Sequence, residues 1–279
     1  MADRLKPEHK EIVEKIRNLE KEIAPNKHNF KQYRNYFVPQ KIVETSKTVL
    51  SFGVGGDVGF EKMMLCDNPD LRIELYDPTP WCEANIFGIT RASGRKELRN
   101  IQTELCERYK VATWKEWNKI ISPKLSFTPI GYAPTNGRRK FYFKQIFSKA
   151  SGKAFKPALH TKSFSAFDPT GTKNSVEVKF SNLETIMKEQ NLKELDIVKT
   201  DIEGFCFDFA KELVEKQIKF RVWATEVELG LTASFEQNFE EVREMCSKLG
   251  KDYNVFVNRR RLKPMLELVF VNKNESWNI

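Results

Sequence analysis

The stretch Thr48-Val49-Leu50-Ser51-Phe52-Gly53-Val54-Gly55-Gly56-Asp57 decides the fold. A short apolar run ends in a glycine-rich turn, and Val58 to Cys66 then reads as a helix. Strand, glycine turn and helix in that order open a parallel α/β unit. Working outward, Leu71 to Tyr76 reads as the next strand and ends at Asp77-Pro78. Residues 81–121 read as helical, with Leu98, Ile101 and Leu105 on one stripe and Trp114 and Trp117 on a second short helix. Leu125 to Tyr132 reads as a third strand. Asn136-Gly137 is a two-residue hairpin signal with Arg139 to Gln145 as its return strand. Residues 148–174 read as a long loop.

Strands over Ser175 to Phe180, Leu195 to Thr200 and Lys219 to Val227 alternate with helices over Asn182 to Gln190, Phe205 to Lys216 and Ser234 to Leu249. Tyr253 to Asn258 and Met265 to Val271 close the chain as a hairpin around Arg259-Arg260-Arg261. The alternation predicts an α/β fold with a mostly parallel sheet, helices on both faces and an antiparallel close. Upstream, Ile12, Ile16, Leu19 and Ile23 make one stripe of an amphipathic helix over residues 7–23, ended by Pro25. Such a stripe packs on the domain or on a second copy of the chain. Tyr33, Tyr36 and Phe37 lead from it into the core. The expected division is an N-terminal helical extension, 1–47, and one domain, 48–279, with a helical insertion at about 85–122 and a basic hairpin and loop at about 136–175.

Composition limits the function classes. The chain has 279 residues, 40% hydrophobic and 30% charged, which excludes a disordered chain. No stretch approaches about 18 uncharged apolar residues, so no membrane-spanning helix is expected. The first forty residues lack an apolar segment of the secretory kind. Five widely spaced cysteines without a C-x-x-C pair argue against a disulfide framework and for a reducing, cytoplasmic setting. His9, His28 and His160 are too scattered to form a metal-ligand pair, so no metal is expected.

The net charge is +9, and most of the excess lies between Arg138 and Phe180. There Arg138, Arg139, Lys140, Lys144, Lys149, Lys153, Lys156, Lys162, Lys173 and Lys179 face only Asp168 and Glu177. Such a segment attracts phosphate, acidic glycan or nucleic acid, or it is simply a solvated loop. Its aromatics, Phe141, Tyr142, Phe143, Phe147, Phe155, Phe164 and Phe167, could stack on bases or sugars, although the first three fit buried strand positions better.

Open α/β sheets bind ligands beyond the carboxyl ends of their strands. Three strand ends carry chemistry. Gly53 and Gly55 allow a backbone to approach a ligand. Asp77 ends the neighbouring strand, where a carboxylate can hold two ribose hydroxyls. This pairing points to a nucleoside cofactor without separating NAD from S-adenosylmethionine (SAM). The turn is not G-x-G-x-x-G, which counts against a dinucleotide. Asp201 and Glu203 follow the third strand; either could also be a helix cap. Thr225-Glu226-Val227-Glu228 adds acids at a fourth strand end.

Ser51-Phe52-Gly53 with Asp57, Phe60 and Glu61, then Tyr76-Asp77-Pro78-Thr79, then Leu195 to Gly204 with its Lys-x-Asp-x-Glu-Gly core, resembles the FkbM-type SAM-dependent methyltransferases. It is most similar to the branch with Ser-Phe-Gly and Asp-Pro-Thr. The resemblance runs from about Thr48 to Val271. It implies a Rossmann-like class I methyltransferase fold with a mostly parallel seven-stranded sheet and an antiparallel C-terminal hairpin. It puts SAM at Phe52, Gly53, Gly55 and Asp57, its ribose on Asp77 beside Pro78, and its adenine near Gly131 and Tyr132. Asp201 and Glu203 then face the transferred methyl, with Glu226 in support. Two positions depart from the family pattern. Cys206 stands where a further acid is common, and Glu228 stands where a His often follows Glu226. The proton acceptor is therefore left unassigned between Asp201 and Glu203.

The favoured reading is O-methylation of a sugar, glycan or other small hydroxyl-bearing acceptor, with an anionic acceptor matched to the basic segment. A nucleic-acid methyltransferase or binder comes second. A SAM-binding interaction module without activity is third, and an NAD-dependent oxidoreductase is a distant fourth.

Overall fold

The computed structural model describes residues 14, 15, 18, 29–55, 58–79, 124–143, 164–165, 175–229, 232–259 and 265–275. Of the predicted helix over residues 7–23, Glu14, Lys15 and Asn18 are described and helical; its stripe of Ile12, Ile16, Leu19 and Ile23, the helical insertion, most of the long basic loop and the Arg260-Arg261 turn lie outside the described residues.

One seven-stranded sheet organises the chain. Its parallel strands are β3 (Thr48–Phe52), β4 (Arg72–Tyr76), β5 (Leu125–Thr128), β10 (Leu195–Thr200) and β11 (Phe220–Glu228). The antiparallel close is β12 (Tyr253–Arg259) with β13 (Met265–Asn272). The spatial order is β12-β13-β11-β10-β3-β4-β5. From β3 the chain builds outward through β4 and β5, then returns to lay β10 on the other side of β3. The topological switch point therefore falls between β3 and β10, where sheets of this type open a crevice.

The sheet is covered on both faces, which is why its central strands bury apolar residues on both sides, Val49-Leu50 on β3 and Ile197-Val198 on β10. On one face Leu50, Phe52, Val198 and Trp223 pack against α4 (Cys206–Glu215) and α5 (Phe235–Leu249). Trp223 is fully buried, stacks on Phe270 at 5.0 Å and donates its indole N–H to Thr200 at 2.9 Å. On the other face Val49, Ile73, Ile197 and Val222 pack against α2 (Gly59–Asp67) and α1 (Gln40–Thr45).

Four expectations change. The N-terminal region is not helical throughout: β1 (Phe30–Tyr33) and β2 (Tyr36–Pro39) form a hairpin. Tyr33, Tyr36 and Val38 are buried in the core under the sheet, while Phe37 is only half-buried. This hairpin is thus part of the domain's own core. The expected strand Leu125 to Tyr132 is two strands in two sheets. β5 stops at Thr128, before Pro129, which has no N–H to give to a ladder. β6 (Gly131–Tyr132) belongs to a second, four-stranded sheet.

In that sheet Asn136-Gly137 is not a tight hairpin. β9 (Ser175–Ser181) inserts between β6 and β7 (Gly137–Phe143), giving the order β6-β9-β7-β8, with β8 at Phe164–Ser165. The Asn136 side chain instead accepts from Ser181 Oγ at 3.0 Å and from Asn182 N at 2.8 Å. It thereby fastens the start of α3 (Leu183–Glu189). Finally, the expected loop over residues 148–174 contains β8.

The two sheets meet through Tyr132, Phe141 and Phe180, which join the core of the α4 face. Of the three aromatics expected on buried strand positions, Phe141 is buried and Tyr142 half-buried; the side chain of Phe143 lies outside the description.

Candidate active site

The carboxyl ends of β4, β3, β10 and β11 lie side by side, in register. Phe52 is level with Tyr76 and with Thr200, so the turns that follow all emerge at one rim. That places Gly53 to Gly55, Asp77, Asp201, Glu203 and the end of β11 around the switch point. The sequence reading anticipates this convergence for every one of them.

The glycine turn is built by two different requirements. Gly53 has φ +71, and a Cβ there would come within 1.7 Å of the Asp201 carbonyl oxygen. Its small size thus serves the close approach of the β10 backbone, locked by Asp201 N donating to Phe52 O at 3.0 Å. Gly55 has φ +58, and a Cβ there would meet nothing within 4 Å. The open space expected beside the turn is at Gly55. Asp57 lies outside the described residues.

Asp77 is 3% exposed and grips this turn. Its Oδ2 accepts from Gly55 N at 2.7 Å, and its Oδ1 from Thr79 N at 2.7 Å. The Thr79 side chain hydrogen-bonds it as well, so of about four acceptor positions on the carboxylate one is left for a hydroxyl donor. Burial raises its pKa, while the Thr79 and Gly55 hydrogen bonds and the Lys199 charge pull it back. Pro78 closes over the neighbouring Gly131, where a Cβ would collide with the Phe180 ring and come 3.0 Å from Pro78 Cγ.

Asp201 and Glu203 occupy the turn between β10 and α4. Asp201 has a side chain 35% exposed, with its Oδ2 3.8 Å from Lys199 Nζ. Glu203 sits at φ +23, an uncommon backbone for a residue with a side chain. Burial pushes Glu203 up to about 9, with the charges of Glu228, Asp201, Glu226 and Asp77 adding to the rise. Five carboxyl groups thus share one electrostatic neighbourhood, and Glu203 holds its proton at neutral pH. Neither acid is the cap of α4: its N-cap position is Phe205, and no side chain caps it.

Glu226 is 7% exposed and lies opposite Glu267 in the β11–β13 ladder. Glu267 is itself 1% exposed and is absent from the sequence reading.

Two predicted positions turn their side chains away from the rim. Phe52 is fully buried, stacked on Tyr76 at 4.9 Å. Tyr132 is 1% exposed, lies 4.8 Å from Phe209 ring to ring, and donates its hydroxyl to Glu212 at 3.0 Å. Their side chains build the floor beneath the crevice.

The sequence reading also leaves two side chains without a role. Ser51 Oγ donates to Glu61, which is fully buried on α2. Lys199 is 5% exposed and donates to Gly53 O at 3.1 Å. A lysine directly after Ile197-Val198 in a strand covered on both faces is the signal that marks it.

The Methyltransferase FkbM domain matches residues 19–253. The chain belongs to the FkbM methyltransferase family. The match begins well before Thr48, consistent with the N-terminal hairpin being part of the domain core. This FkbM chain is thus a SAM-dependent methyltransferase with the class I strand order. No curated protein matches it.

Among solved structures it is similar to a fibrillarin pre-rRNA processing protein of Methanococcus jannaschii, at 7% identity and TM-score 0.40, over 84% of this chain and 70% of that one. A precorrin-6y C5,15-methyltransferase from Geobacter metallireducens is similar at 10% identity and TM-score 0.36, over 90% and 94%. A human methyltransferase 10 domain containing protein is similar at 8% identity and TM-score 0.35, over 93% and 81%. The domain match and the strand order, not these likenesses, carry the assignment.

The residues present fit the family's cofactor. An open glycine at φ +58, next to a buried carboxylate that keeps an acceptor position, suits a nucleoside sugar.

Among the described residues no helix is long and apolar enough to cross a membrane, and no cluster of potential ligands could hold a metal ion. Among the described residues Cys66, Cys206 and Cys246 are buried and form no disulfide.

Proposed function

We propose that this FkbM methyltransferase transfers the SAM methyl group to a hydroxyl of a sugar, glycan or other small acceptor. Gly53 and Gly55 would pass under the nucleoside, with Asp77 accepting from the ribose hydroxyls. Of the adenine positions expected from the resemblance, Gly131 remains the candidate through its backbone. When bound, SAM supplies a methyl on a sulfonium; the C–S bond breaks with its electron pair staying on sulfur, and the acceptor oxygen forms the new C–O bond. The protein's part is alignment and removal of one proton.

The observation that carries this reading is the placement of Asp201. It is a half-exposed carboxylate at the switch point, two strands away from Asp77 and directly beside the glycine turn. An alcohol must lose its proton as it is methylated, and Asp201 is the acid placed to take it. Glu203, protonated at neutral pH, is suited to donate a hydrogen bond rather than to act as base. Glu226 supports the two from the neighbouring strand.

Asp201→Ala should lower methyl transfer from labelled SAM by about 10²-fold or more, with S-adenosylhomocysteine binding largely kept. The acceptor panel would comprise neutral sugars, sugar phosphates and RNA. Unchanged turnover would make Asp201 a structural residue only.

The second reading, a nucleic-acid acceptor, is favoured by one observation. Arg138 and Lys140 on β7 and Lys179 on β9 are exposed on one face of the second sheet, with Arg138 bonded to Glu177 at 2.7 Å. Methylation confined to the RNA arm of the panel, falling steeply with salt, would select it. A cytoplasmic setting and self-association through the N-terminal helix complete the proposal.

A further inference from the structure

We propose that Lys199 is a positioning residue of the methyl-transfer site. One buried ammonium holds the Gly53 carbonyl of the glycine turn and the carboxylate of Asp201 in a fixed relation. The inference rests on the reading of this rim as the SAM crevice.

A lysine is almost never buried without partners, because its charge loses water that must be replaced. Lys199 is 5% exposed on a central strand, where an apolar side chain would satisfy the sheet. Its neighbours in register are Ser51 and Ala224, both small, which leaves a channel for the lysine stem. Ser51 does not compete for the ammonium, since its hydroxyl donates to Glu61. The ammonium reaches the rim instead, donating to Gly53 O at 3.1 Å and lying 3.8 Å from Asp201 Oδ2. Its charge is also felt by Asp77 on the far side of the turn. One cation therefore touches the cofactor turn and the candidate base, and acts on the candidate ribose acceptor. Without it, the Gly53 carbonyl loses a charge-assisted bond, and Asp201 and Asp77 lose their common counter-charge. The turn could then relax away from the geometry that leaves Gly55 open.

The test is calorimetric titration of the full chain with S-adenosylhomocysteine. Lys199→Met keeps the length and apolar bulk of the stem while removing charge and donor. The expected result is a folded protein whose affinity drops by about ten-fold or more, the scale of one charge-assisted hydrogen bond. Asp201→Asn alone should change affinity only slightly. In Lys199→Met, Asp201→Asn the two effects should fall short of, or exceed, their sum, as coupled neighbours do. An affinity equal to wild type in folded Lys199→Met, or strict additivity with Asp201→Asn, would overturn the proposal. A lowered melting temperature with unchanged affinity would do the same, since that is what a purely structural ion pair gives. Should Lys199→Met not fold, Lys199→Arg replaces it. That variant keeps the charge but carries a wider head that cannot seat on Gly53 O in the same way. Weakened affinity there supports the proposal, and wild-type affinity overturns it. Wild-type protein that binds no S-adenosylhomocysteine removes the crevice reading itself, a result distinct from any of these.

Discussion

Gly53 and Gly55 show how two identical residues in one turn answer to different demands. At Gly53 the obstacle to a side chain is the Asp201 backbone, which cannot move without separating β3 from β10. At Gly55 there is space, and only the positive φ opposes a Cβ. Gly55→Ala should therefore fold, at a cost of about 1–2 kcal/mol for the left-handed backbone. Its effect on S-adenosylhomocysteine binding should be large, because the methyl enters the open space. Gly53→Ala should lose stability well beyond that figure, and chemical denaturation of the two variants side by side checks the order. The sequence reading marked both glycines as approaches to a ligand. It could not separate them, because the atom that crowds Gly53 lies on a strand remote in sequence. Phe52 and Tyr132 present no ring to the crevice for a related reason. Their positions sit next to rim residues in sequence, but strand alternation turns their rings into the core.

At the scale of elements, the parallel strands are legible because short apolar cores such as Val49-Leu50 and Ile197-Val198 each end in a turn that carries Gly or Asp. The N-terminal hairpin was not. Its two-residue turn is Arg34-Asn35, with Arg34 at φ +59, and lacks the glycine that advertises such turns. The second sheet was also hidden, since β9 pairs with both β6 and β7 across a long stretch of sequence.

Glu212 is the residue that ties these elements together. From α4 it accepts the Tyr132 hydroxyl at 3.0 Å, Leu183 N at 3.2 Å and Glu184 N at 2.9 Å. One carboxylate thus fastens β6 and the first turn of α3. Glu212→Ala leaves a buried hydroxyl and two helix N–H groups without their acceptor and should cost about 2–5 kcal/mol. Denaturant unfolding measures this directly.

For the whole molecule, the acidic rim makes stability depend on pH. Glu203 holds its proton to about 9 in the folded chain and has an ordinary value near 4.5 when unfolded. Its folded-state pKa is raised, so above pH 4.5 the unfolded state gains by releasing the proton, and stability falls as pH rises towards 9. Glu203→Gln removes that penalty. The variant should melt higher than wild type at pH 8, and the difference should shrink to nothing near pH 4. A gain of about 1 kcal/mol corresponds to a rise of about 2–4 °C in a chain this size. Thermal melts at the two pH values check the sign. A difference independent of pH would mean that Glu203 is solvated and ionised in the folded chain. The basic face of the second sheet and the acidic rim also divide the surface by charge.

The most direct test of the central claim is the affinity of S-adenosylhomocysteine for the wild-type chain and for Asp77→Ala, measured by calorimetry on protein cleared of bound nucleoside. We predict saturable, one-to-one binding to the wild type and a loss of about 10²-fold or more in Asp77→Ala, whose ribose hydroxyls would have no carboxylate to meet. No heat of binding to the wild type, or equal affinities for the two proteins, would contradict the account.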